Sequence, residues 1–182
     1  MNVRLNAEIA MAVALAIVLE LLSKTLPLPR LPYGGSVSLR MLPILVVAFR
    51  SGWKPGCVTG ILYGLVDFSI SPFYFHPIQF LLDYPLAFGA VGLAGLLKGV
   101  GRIGIVAGVL LGNSIRFAIH VVSGTIFFAH LAPPGQPVLL YSIMYNISYM
   151  LPETIVDILL SQFLLKRLIF GKLEAADYSS HK

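Results

Sequence analysis

The chain has 182 residues, of which 57% are hydrophobic and only 12% charged, and its mean hydropathy is +0.86. Charged residues make up about 25% of an ordinary soluble domain, so this composition excludes a water-soluble globule and makes lipid the solvent. The formal net charge of +5 does not indicate nucleic acid, because the basic side chains punctuate the ends of apolar runs instead of clustering on one face.

Six apolar stretches follow in chain order, at 5–26, 37–49, 56–70, 78–97, 103–131 and 138–169. They predict an all-α integral membrane protein with six transmembrane helices in one domain. The first stretch has Arg4 before it, lacks a small-residue cleavage site and runs on into Lys24, so it reads as a retained helix and not a signal peptide. Proline and glycine clusters at 27–35, 51–56, 71–72, 98–102 and 133–137 separate the runs. The second run is short, reaching about 20 Å at 1.5 Å per residue against roughly 30 Å of hydrocarbon, which predicts a short or partly re-entrant segment. Its inclusion is supported by charge. With six spans, nine of the thirteen basic residues (Arg4, Arg50, Lys54, Lys98, Arg102, Lys166, Arg167, Lys172, Lys182) fall on one side, and Lys24, Arg30 and Arg40 on the other. The positive-inside rule then places both termini in the cytoplasm. Cys57, the single cysteine, has no partner for an internal disulfide and sits in an apolar run as a packed thiol.

An ionisable group inside a span costs about 2.5–3.5 kcal/mol on insertion scales, so each needs a partner, a cavity or a ligand. In the fifth span Asn113, Arg116, His120, Gly124 and Phe128 recur every three or four residues and share one helical stripe that must face protein. An interhelical hydrogen bond is the simplest account of His120. A metal site is not expected, because neither His76 nor His130 lies at ligand spacing from it. In the sixth span Asn146, Tyr149, Glu153 and Asp157 form a second stripe, and its deeper carboxylates are the expected partners of Arg116. Tyr141, Tyr145 and Asn146 lie nearer its outer end. The fourth span opens on Tyr74, Phe75 and His76 and carries Asp83 and Tyr84. A carboxylate among aromatic faces suits an organic cation, each face adding about 0.5–2 kcal/mol of cation–π attraction. Asp83 paired to a neighbouring helix is the alternative. Ala10 and Ala14 in the first span are four apart, as are Ala12 and Ala16, a small-residue spacing that permits close helix contact.

At these residues the sequence resembles a known family, the substrate-binding S components of energy-coupling factor (ECF) vitamin transporters, and most closely its thiamine-specific branch. The segments that carry the likeness are 2–10, Pro43-Ile-Leu, 79–84, 120–128 and 141–146, and together they span nearly the whole chain. The resemblance implies the six-helix S-component fold in a bacterial plasma membrane, no cofactor, and thiamine bound near the outer face among helices four to six, with the loop after helix one as a lid. It implies binding roles for Asp83 and Tyr84, for His120, Gly124 and Phe128, and for Tyr141 and Asn146, with Tyr74 matching across a one-residue gap. It also implies partners, an ECF transmembrane coupling protein and two ATPase subunits, with Ala10 and Ala14 as the docking motif. Three positions depart from the family pattern: Asp83 stands where Glu is expected, Phe128 where Trp is expected, and Gly34 near the place of a lid tryptophan.

Three other functions fit parts of the sequence. They are an S component for another vitamin or precursor, an intramembrane hydrolase built on His120, Ser123 and Asp83, and a stand-alone proton-coupled carrier using Arg116, Glu153 and Asp157. The hydrolase lacks a G-x-S-x-G nucleophile motif. ATP hydrolysis by this chain is excluded by the lack of a G-x-x-x-x-G-K-[ST] loop.

Overall fold

The computed structural model describes residues 3–27, 31–32 and 35–165. Six helices follow: α1 Val3–Ser23, α2 Met41–Ser51, α3 Trp53–Ile70, α4 Pro77–Leu97, α5 Gly101–Phe127 and α6 Val138–Leu165. The six-helix expectation holds, with shifted ends. Gly34 and the expected end of the sixth span at 166–169 lie outside the described residues, as do the basic residues Arg30, Lys166, Arg167, Lys172 and Lys182.

Four helices, α1, α4, α5 and α6, are long and apolar enough to cross a membrane. The second span differs most from expectation. Residues 37–40 lie outside the helix, which runs only from Met41 to Ser51. Eleven residues of helix reach about 16 Å. The segment survives because it faces protein and not lipid: Met41, Leu42, Pro43, Ile44, Leu45, Val47, Ala48 and Phe49 are all buried. It forms the centre of the apolar core, with Ile9, Val13 and Ala16 of α1, Tyr63 of α3 and Val91 of α4 packed around it.

Helix α3 begins at Trp53, three residues before the expected start, because Pro55 falls in its first turn, where no N–H is required. Its Gly56, Gly60 and Gly64 are four apart and turn one bare edge toward α4. A Cβ added at Gly60 would strike the carbonyl oxygen of Phe88, and one at Gly64 would come within 2.6 Å of the Tyr84 carbonyl oxygen. At Gly56 the same atom would lie 3.0 Å from the Gly92 Cα. The two backbones are therefore in direct contact, the packing that small residues permit in lipid. Opposite this ridge α4 is irregular: Leu82–Leu86 is a π-helical turn containing Pro85, and Gly92–Leu97 tightens to 3-10. Proline has no N–H to give the helix ladder, and a wider turn accommodates its ring.

Arg40 departs from the sequence expectation. It is not a loop charge marking one side of the membrane but a residue 7% exposed at the N-terminal end of α2. Its guanidinium lies 3.5 Å from Glu20 and 4.0 Å from Glu153, and stands over the Phe88 ring at 5.3 Å. Arg116 is answered by Glu153 at 2.5 Å, whereas Asp157 instead accepts from the Asn113 amide at 3.1 Å.

Gly60→Val should lower the melting temperature in detergent by about 5 °C or more, since overpacking costs about 1–3 kcal/mol and each 1 kcal/mol shifts a chain of this size by about 2–4 °C. Leu62→Ala, on the outward face of the same helix, serves as the control and should leave it nearly unchanged. Thermal denaturation followed by light scattering measures both.

Candidate functional site

The loops that follow α1, α3 and α5 converge at one end of the bundle, where they enclose a cavity of about 490 Å³ with walls drawn from five of the six helices. That volume is in the range of small-molecule sites. Of the residues the sequence singles out for binding, Asp83, Tyr84, His120, Gly124, Phe128, Tyr141 and Asn146 all line it. Tyr74 does not: it is 53% exposed, with its ring 5.3 Å from that of Phe68.

The π turn sets the position of Asp83. Its two carboxylate oxygens take different partners, Oδ1 standing 3.2 Å from Nδ1 of His120 and Oδ2 accepting from the Gln79 amide at 3.0 Å. Gln79, one helical turn earlier, uses its own oxygen to accept from the Phe75 N–H at 2.7 Å, which ties the carboxylate to the loop before α4. His120 thus makes the interhelical bond expected of a buried histidine while still facing the cavity. The Tyr84 hydroxyl accepts from the Phe73 N–H and donates back to the Phe73 carbonyl, both at 3.2 Å. Its ring is held edge-on to Phe68.

On the opposite wall Gly124 brings α5 against α6. A Cβ there would collide with the Ser142 hydroxyl, which donates to the Val121 carbonyl at 3.0 Å. What approaches this glycine closely is therefore a serine of the next helix. Asn146 is fixed from both ends: its amide donates to the Ser142 carbonyl at 2.9 Å, and its oxygen accepts from the Tyr149 hydroxyl at 2.9 Å. Phe128 caps α5 and stacks on Phe73 with centroids 6.1 Å apart.

The wall also carries Glu20, Lys24, Arg40, Asp67 and Tyr145; of these the sequence pointed to Tyr145, through its place beside Tyr141 and Asn146 at the outer end of the sixth span. Gln79, also on the wall, had a readable signal in its i, i+4 spacing to Asp83. Lys24 and Arg40 both answer Glu20, at 3.6 and 3.5 Å. Among the described residues no lysine or arginine is within ion-pair distance of Asp67 or Asp83. The arrangement is an aromatic-rimmed chamber with two carboxylates not paired to such a cation, suited to a flat cationic molecule. Ser123 is fully buried and off the cavity wall, so the serine of the expected hydrolase triad does not share the chamber with His120 and Asp83.

Comparison with known proteins agrees with this chemistry. A family model described as "Thiamine transporter protein" matches residues 6–170. The thiamine transporter ThiT of Bacillus subtilis is 41% identical over 162 residues, covering 82% of this chain and 83% of that protein. The ThiT of Lacticaseibacillus paracasei is 30% identical over 141 residues, 69% and 70% of the two chains. A solved structure of ThiT from Listeria monocytogenes superposes with a TM-score of 0.79 at 26% identity, covering 89% of this chain and 93% of that one. With its apolar spans and matching fold, this chain belongs to the thiamine transporter protein family, as a multi-pass bacterial membrane protein that transports and is not an enzyme.

Proposed function

We propose that this chain is the substrate-binding component of an ATP-driven vitamin importer, capturing thiamine in the chamber and handing it inward with energy from a separate ECF module. The observation that carries this function is the Asp83 carboxylate, held open to the cavity by Gln79 and His120 with the Tyr84 ring beside it. Thiamine joins a cationic thiazolium to an aminopyrimidine and a hydroxyethyl arm. Asp83 would neutralise the cation, Tyr84 and Phe128 would stack on the rings, and His120, Tyr141 and Asn146 would hydrogen-bond the polar ends. Tyr74 would join the stack only by turning inward from Phe68.

Coupling to the ATPases is supported by the face of α1. Ala10 and Ala14 are exposed, whereas Ala12 and Ala16, two positions further along in each case, are buried in the bundle. The first pair thus gives a shallow outward edge where another helix can approach closely. Both termini would lie in the cytoplasm, as the basic residues require.

Asp83→Asn should weaken thiamine binding at least tenfold, about 1.4 kcal/mol, a modest loss beside the 1.5–3 kcal/mol of a charged hydrogen bond. Calorimetric titration of the purified protein with thiamine, riboflavin and biotin checks this. Wild-type preference for either of the other vitamins overturns the assignment. Ala10→Trp and Ala14→Trp should abolish thiamine uptake in cells while leaving binding intact, and normal uptake would refute the docking face. An alkaline phosphatase fused to the C-terminus should be inactive in a bacterial host, as expected for a cytoplasmic end.

A further inference from the structure

The segment 35–40 between α1 and α2 is a non-helical strap, and Gly35, Ser36 and Arg40 form part of the cavity wall. At its α2 end it is bolted in place. The Ser38 N–H and hydroxyl donate to Glu153 Oε1 at 3.3 and 3.2 Å, and the Leu39 N–H donates to the Ser23 hydroxyl at 3.1 Å. Its other end is met by the Leu31 N–H, which donates to the Gly35 carbonyl at 2.6 Å, and by the Tyr145 side chain. The Tyr145 hydroxyl accepts from the Gly35 N–H at 2.9 Å and donates to the Pro32 carbonyl. No clearance remains there: a Cβ on Gly35 would lie 2.8 Å from the Tyr145 oxygen and 2.8 Å from the Tyr149 ring. Tyr145 also lines the cavity. One phenol therefore stands where the strap meets the space a ligand would occupy.

We infer that Tyr145 is a positioning residue that clamps the strap across the cavity through backbone atoms, and that this clamp sets how long a ligand is retained. Removing the hydroxyl leaves an amide and a carbonyl without their partner, and the way to restore both is for that end of the strap to rise into water. The groups proposed to touch thiamine stay in place, so the change falls on escape of the ligand and not on its recognition. Because the grip is on the main chain, it does not depend on which side chains the strap carries.

The test uses the full chain in detergent with Tyr145→Phe and Gly35→Ala. Hydrogen–deuterium exchange without ligand should show the Gly35 amide exchanging about tenfold faster in Tyr145→Phe, with the Ser38 amide, held by Glu153, unchanged. Thiamine should dissociate about tenfold faster from either variant while its association rate moves less. The double variant should be no worse than the poorer single one, since both break the same contact. Unaltered exchange at Gly35 overturns the inference whatever the cavity binds. Faster dissociation without faster exchange also overturns it, because Tyr145 would then be touching the ligand directly. The dissociation arm rests on the thiamine assignment; if the wild type fails to bind thiamine, that assignment falls and the exchange arm still decides the role of Tyr145.

Discussion

A carboxylate with no exposed surface, deep in a bundle surrounded by lipid, must have cations brought to it. Glu153 is that group, and much of the architecture is arranged around it. Arg116 comes from α5 to within 2.5 Å, and Arg40 arrives from the start of α2 and goes on to meet Glu20 of α1. Both guanidinium groups lie over the Phe88 ring, at 5.3 and 5.5 Å, which draws in α4 as well. Five of the six helices thus meet at one cluster of charge. Such clusters add little net stability compared with apolar packing, yet losing one partner costs about 3–5 kcal/mol. Their effect here is to admit one arrangement of helices, and with it one position for the strap that Glu153 holds through Ser38.

A second constraint acts through the absence of side chains. The glycine edge of α3 lets the backbone of α4 come into contact, and the contact at Gly64 falls on the Tyr84 carbonyl, within the π turn. The position of Asp83 and Tyr84 therefore follows from where two main chains touch. A wide turn shifts every later side chain around the helix axis relative to a regular α-helix. Pro85 makes that turn the comfortable local solution.

The sequence disclosed the number of helices and the polar and aromatic centre of the cavity wall, because a membrane chain cannot leave polar groups in lipid without cause. The Asn113, Arg116, His120, Gly124, Phe128 stripe was legible for that reason, since a helix of regular pitch places those residues together. Arg40 was misread because a basic residue between two apolar runs looks the same whether it marks a loop or enters the core. The distinction depended on Glu153, more than a hundred positions away. The boundary of α2 was misread on similar grounds: Val37 and Leu39 raise a hydropathy count whether or not the residues around them are helical. The spacing of Gly56, Gly60 and Gly64 was present in the sequence, but what it faced became visible only once the π turn was known. Tyr145 was legible as an outer-end tyrosine beside Tyr141 and Asn146, but its hold on the strap was not, for a phenol that binds a backbone leaves no pattern in the residues it binds.

Helix α2 spans about half of the hydrocarbon thickness, and the cavity is walled by the residues just before its first turn, Gly35, Ser36 and Arg40. The chamber is in effect the unbuilt upper half of a helix. Its capacity is then governed by where the chain starts to coil into α2. Moving the first turn of α2 one turn earlier would push about 5.4 Å of helix into the space, whereas moving it later would enlarge the chamber without altering any residue on the other walls. Chamber size is thus tied to the charge cluster beneath, because Arg40 stands at that junction and meets both Glu20 and Glu153.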